Sequence, residues 1–107
     1  MSNTQIIHLD KLDGSLLTGR KNGERAHDTL RVEQTQQYKI VARQEQLVTS
    51  SYFLGLLGNE LVSMAEELGS VNEVLEKINI EQLNPKSKEE CIRAIRRSIA
   101  TPRSLMG

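Results

Sequence analysis

A chain of 107 residues that is 37% hydrophobic and has no tryptophan has room for one hydrophobic core, built from aliphatic side chains, and is too short for two. Fourteen basic residues balance fourteen acidic ones, so no global field draws the chain to nucleic acid or to an anionic membrane. The single Cys91 excludes an internal disulfide, no apolar run approaches a bilayer span, and Met1–Asp10 lacks the pattern of a signal peptide, so the cytoplasm is the expected location.

Gln5-Ile6-Ile7-His8-Leu9 is a β-branched run closed by Asp10 and by the turn signal Asp13-Gly14, which predicts a first strand. From Thr18 to Leu30, the residues Gly19, Gly23, Ala26 and Leu30 recur at helical spacing. Each glycine weakens such a helix by about 1 kcal/mol relative to alanine. A side without Cβ atoms would let the helix backbone approach the sheet closely, which gives the glycines a purpose; a glycine-rich loop is the alternative. Arg31–Gln37 is polar and leads into Tyr38-Lys39-Ile40-Val41-Ala42-Arg43, where Tyr38, Ile40 and Ala42 alternate with the others. That period predicts a strand with one buried face, and hence helices packed on one side of the sheet.

Thr49-Ser50-Ser51 supplies hydroxyls for a helix N-cap, and Phe53, Leu54, Leu57, Leu61, Met64, Ala65 and Leu68 keep helical spacing over one long helix, Ser51 to Leu68. Gly69 stands where a left-handed C-cap is wanted, and Ser70-Val71-Asn72-Glu73 is a capping box that opens a short helix. Ile78 to Leu83 reads as a strand ended by Asn84-Pro85. Ser87-Lys88-Glu89-Glu90 is a second capping box, opening a final helix with Cys91, Ile92, Ile95 and Ile99 on one face, and Pro102 stops it. The expected architecture is therefore a single α/β domain over residues 1–100, with a small mixed β-sheet, helices mainly on one face, and a flexible tail over residues 101–107.

Tyr38 to Leu61, with its strand, its Leu47-Val48-Thr49-Ser50-Ser51-Tyr52-Phe53 junction and its glycine-containing helix, resembles the second strand-to-helix unit of STAS-like domains, the relatives of anti-sigma factor antagonists. Gly19–Leu30 is similar to the first helix of that group, and Ile78–Pro85 with the following helix is similar to its closing unit. The resemblance spans most of residues 5–100 and rests on short motifs in the right order. It implies a regulatory module whose helix start presents a serine to a partner kinase; by position that serine is Ser50, with Ser51 beside it. Thr49 replaces the acid expected before it, and Ala42-Arg43-Gln44-Glu45-Gln46 stands where the group has a strand end richer in aspartate.

The candidate partner-binding or phospho-acceptor set is thus Thr49, Ser50, Ser51, Tyr52 and Phe53. A phosphate on Ser50 or Ser51 would meet the positive end of the helix dipole, while capping alone also accounts for both hydroxyls. His8, Asp10, Asp13 and His27 lack the spacing of a metal-ligand motif, Cys91 lies on an apolar stripe, and the glycines at 14, 19 and 23 do not make a phosphate loop. No catalytic set and no cofactor are expected. Arg93, Arg96 and Arg97 share one side of the last helix and form the alternative candidate, a nucleic-acid-binding face, although a solvated face explains them better and no aromatic platform accompanies them. The function expected is non-catalytic binding of a protein partner, a kinase or sensor, with no membrane role. The uncovered face or edge of a two-layer sheet is a surface suited to a homodimer.

Overall fold

The computed structural model describes residues 3–100. Its elements run β1 (Thr4–His8), a 3₁₀ turn (Leu9–Lys11), β2 (Leu16–Leu17), α1 (Arg20–Thr29), β3 (Gln37–Val41), β4 (Leu47–Val48), α2 (Ser50–Leu56), α3 (Gly58–Leu68), α4 (Val71–Lys77), β5 (Ile78–Gln82) and α5 (Pro85–Ala100). The expected α/β class is the one observed; the expected tail over residues 101–107 lies outside the described residues.

The main sheet has the order β1-β3-β5, and β2 pairs with β4 in a second short ladder. Where the sequence suggested mixed strand directions, every ladder among the described residues is parallel. Each step across the main sheet is made through helices, the connection that parallel neighbours require. Because the order advances in one direction, right-handed crossovers put α1 and the α2–α4 segment over the same face. The side chains agree: Ile7, Tyr38, Ile40 and Ile78 are buried against that layer, whereas Ile6 on the other face is 49% exposed. α5 packs against α2, α3 and α4 in the same layer and adds Cys91, Ala94 and Ile95 to the common core. The alternation in Tyr38–Arg43 is thus the trace of a one-sided sheet.

The long helix expected over Ser51–Leu68 is two helices. At Leu57 the backbone leaves helical geometry (φ −128°, ψ 19°), yet Leu57 N–H still donates to Phe53 O at 2.8 Å and Leu61 N–H to Leu57 O at 2.7 Å. The break is a kink between hydrogen-bonded turns, placed among the weak helix formers Gly55 and Gly58. Apolar spacing continues through it, which is why the pattern alone conceals it.

Of the two glycines expected in the first helix, Gly19 is its N-cap at φ 93°, and Gly23 serves a close approach, but to a helix and not to the sheet. A Cβ on Gly23 would lie 2.1 Å from the carbonyl oxygen of Tyr52, and one on Gly55 would lie 2.0 Å from that of Arg20. α1 and α2 therefore touch backbone to backbone, each through the glycine of the other. Gly69 ends α3 in the left-handed conformation expected of it, and Ser70 accepts the Glu73 N–H as the cap of α4. The cap of α5 differs from expectation. Asn84 Oδ1 accepts the Ser87 N–H at 2.8 Å and Pro85 occupies the first helical position, where its missing N–H costs nothing. Ser87 is buried and used elsewhere.

Candidate functional site

The short β2–β4 ladder builds the site. Leu47 N–H donates to Ser15 O at 2.7 Å and Thr49 N–H to Leu17 O at 3.0 Å, which carries the ends of two distant chain segments to one rim. There Thr49 Oγ1 lies 3.1 Å from Thr18 Oγ1 and 3.1 Å from Ser51 Oγ. Gly19 N–H donates to Ser51 Oγ at 3.3 Å, so the start of α1 is tied to the start of α2. Thr18 is exposed, and Thr49, Ser50 and Ser51 are half-buried.

Of the three hydroxyls expected as candidates for the N-cap of α2, the one used is Thr49, whose Oγ1 accepts the Tyr52 N–H; Ser50 and Ser51 lie inside the helix. A Ser or Thr cap sits one residue before the first helical one, and here the ladder to Leu17 holds Thr49 in the extended conformation that this position needs. Ser50 is the first residue of the helix. Its N–H donates to Glu90 Oε1 at 2.9 Å, and Glu90 Oε2 is 3.2 Å from Arg93 Nη1. A carboxylate from α5 therefore already occupies the positive end of α2. Tyr52 and Phe53 are fully within the core, which narrows the candidate surface to Thr49, Ser50 and Ser51; burial also pushes the Tyr52 phenol above its ordinary range.

Behind the rim lies a polar clamp centred on the buried side chains of Gln46 and Ser87. Gln46 Nε2 donates to Leu9 O at 3.0 Å, and its Oε1 accepts the Arg43 N–H at 2.7 Å. The Arg43 guanidinium reaches Leu12 O and Gly14 O, each at 3.2 Å, and pairs with Glu45 at 2.7 Å, holding that carboxyl below the usual range. Asn84 Nδ2 donates to Gln46 O at 2.8 Å. Ser87 Oγ accepts the Val48 N–H at 3.0 Å and lies 3.3 Å from Gln46 O. Thus Arg43–Gln46 ties the Asp10–Gly14 loop, β4 and the start of α5 into one unit.

Comparison with known proteins returns no match among family models, curated proteins or solved structures. The residues themselves must carry the functional reading.

Sequence reasoning missed Glu90 and the clamp. Ser87-x-x-Glu90 was expected to cap its own helix; instead Ser87 anchors β4 and Glu90 faces α2. The dipeptide Asn84-Pro85 was the available signal for the true cap. The remaining candidates are dispersed. His8 Nδ1 meets Asp10 Oδ1 at 3.0 Å, while His27 Nε2 lies 3.5 Å from Glu60 Oε1, on the helical layer. Cys91 is buried, and its thiol is pushed up to about 12 by desolvation. Arg93, Arg96 and Arg97 are all exposed on α5.

A separate cleft of about 720 Å³ is lined by Glu33, Tyr38, Glu60, Ser63, Glu67 and Lys77. Its tyrosine is engaged, donating to Glu33 O at 2.6 Å and accepting the Thr35 N–H at 3.1 Å. Burial, with the Glu60 charge adding to it, raises the Tyr38 phenol above its ordinary value.

Proposed function

We propose that this chain is a non-catalytic STAS-like regulatory module that binds a protein partner, a kinase or sensor, through the Thr49–Ser51 rim, with Ser50 as the regulated position. The observation that carries the reading is the placement of Ser50. It is the first residue of α2, half-buried at the surface, on a rim braced by the polar clamp, with its N–H held by Glu90. A phosphate there adds about −1.5 to −2 charges beside a carboxylate that already neutralises the helix end. The two repel, Glu90 is displaced, and Arg93 turns toward the phosphate. A local charge change thereby alters the surface made by α2 and α5 while the core stays intact.

Ser50→Asp and Ser50→Ala test this reading. A partner is first isolated from the native host with wild-type bait and identified, and its affinity is then measured for both variants. Ser50→Asp weakens binding with the fold retained in thermal unfolding, whereas Ser50→Ala binds as wild type. Equal affinity for wild type and Ser50→Asp removes the rim as the regulated surface.

A further inference from the structure

We infer that the partner surface continues from the Ser50 rim along one face of α5, and that the partner segment it takes is acidic protein. This rests on the reading of the rim above and names the chemistry of its partner.

Residues 86, 89, 93, 96, 97 and 100 of α5 fall on one side, and all are exposed. The other side, Cys91, Ala94, Ile95 and Ser98, is buried, so the ridge is presented on a helix fixed to the core. Lys86 and Glu89 lie 3.9 Å apart and largely cancel. Arg93 contacts Glu90 yet remains 64% exposed. Arg96 and Arg97 have no carboxylate within ion-pair distance among the described residues. The ridge therefore holds an excess of guanidinium charge, and the Glu90 carboxylate joins it directly to the Ser50 N–H.

Three clustered guanidinium groups suit carboxylates, which they bind as planar, paired acceptors. A polyphosphate chain suits them less. No exposed aromatic offers a stacking platform for bases, and three arginines release few counterions. The ridge also explains how the rim is regulated. A negative charge on Ser50 competes for Arg93 from inside the molecule and subtracts it from the surface offered to the partner.

The test is fluorescence anisotropy at low and physiological salt, using a labelled oligoglutamate peptide and a labelled short DNA duplex against the whole chain. Wild type binds the peptide saturably. Arg93→Ala/Arg97→Ala weakens that binding roughly tenfold, the combined scale of two solvent-exposed ion pairs. Lys21→Ala/Arg25→Ala, which removes the same charge from exposed positions on α1, leaves it near wild type. Circular dichroism confirms that both double variants fold. Absence of peptide binding, equal loss in the two double variants, or tighter binding of the duplex that is lost with Arg93 and Arg97 overturns the inference. Ser50→Asp separates the two proposals. Peptide binding that depends on the ridge but is unchanged in Ser50→Asp sinks the rim reading and keeps the ridge. Partner binding that falls in Ser50→Asp but not in the ridge variant does the reverse.

Discussion

Replacing Gly23 with alanine tests the packing that sets α1 against α2. In isolation the change favours the helix by about 1 kcal/mol, because alanine loses less backbone entropy than glycine. In this fold the new Cβ would sit 2.1 Å from the Tyr52 carbonyl oxygen and 2.8 Å from the Leu56 nitrogen. Both are backbone atoms, so no rotamer change relieves the overlap. Non-bonded heavy atoms settle near 3.5 Å, so the two helices must part by about 1 Å or more along their contact. Overpacking of this kind costs about 1–3 kcal/mol, and more where the backbone itself must move. After the propensity gain, the expected net loss is about 2 kcal/mol, or roughly 10 °C in Tm for a domain of this size. Thermal and urea unfolding of Gly23→Ala measures it, with Gly58→Ala as the control: a Cβ at Gly58 meets open space, so that variant gains up to about 1 kcal/mol. Gly55→Ala should match Gly23→Ala, and the double variant should cost less than the two losses added, since the first separation makes room for the second. A Gly23→Ala protein as stable as Gly58→Ala would refute the backbone-to-backbone contact.

Three further outcomes follow from the geometry. Thr49→Ala should lose about 0.5–2 kcal/mol as the true cap of α2, whereas Ser50→Ala should stay within about 0.5 kcal/mol; urea titrations that rank them the other way would return the cap to Ser50. Gln46→Leu strips a donor from Leu9 O and an acceptor from the Arg43 N–H, at about 1–3 kcal/mol for each orphaned group, and hydrogen exchange should quicken in residues 9–14 before the rest of the chain responds. Cys91 has its folded thiol raised from 9.0 to about 12 by burial, so its contribution is complete below pH 9 and is lost as pH climbs through that window. Wild-type stability should then fall more steeply than that of Cys91→Ala, by up to about 1.4 kcal/mol per pH unit. The buried phenols of Tyr38 and Tyr52 act in the same direction in both proteins and cancel in the comparison, and parallel pH profiles would show that the thiol is not desolvated.

What the sequence determined by itself is whatever is encoded within a few residues. Alternation in Tyr38–Arg43 was enough for a one-sided strand, because a buried face imposes a period of two wherever the strand lies in the sheet. Ser70 and Gly69 were legible as helix boundaries because a cap is satisfied by its own first or last turn. Cys91 was legible as core from its place on an apolar stripe. Contacts between distant segments decided everything else. The kink at Leu57 is invisible to spacing because Phe53, Leu57, Leu61 and Met64 keep the same buried face through it. The two-residue strands β2 and β4 have no period to detect, yet their ladder is what joins Thr18 to Thr49. Gln46, Ser87 and Glu90 are polar residues whose partners lie some forty positions away, and a polar side chain carries no mark of whether water or a buried carbonyl will satisfy it. Gly23 and Gly55 show the division most directly. The sequence reveals that a backbone can come close there, and only the tertiary structure decides that the backbone is a second helix, because a missing Cβ specifies a distance of approach and not a partner.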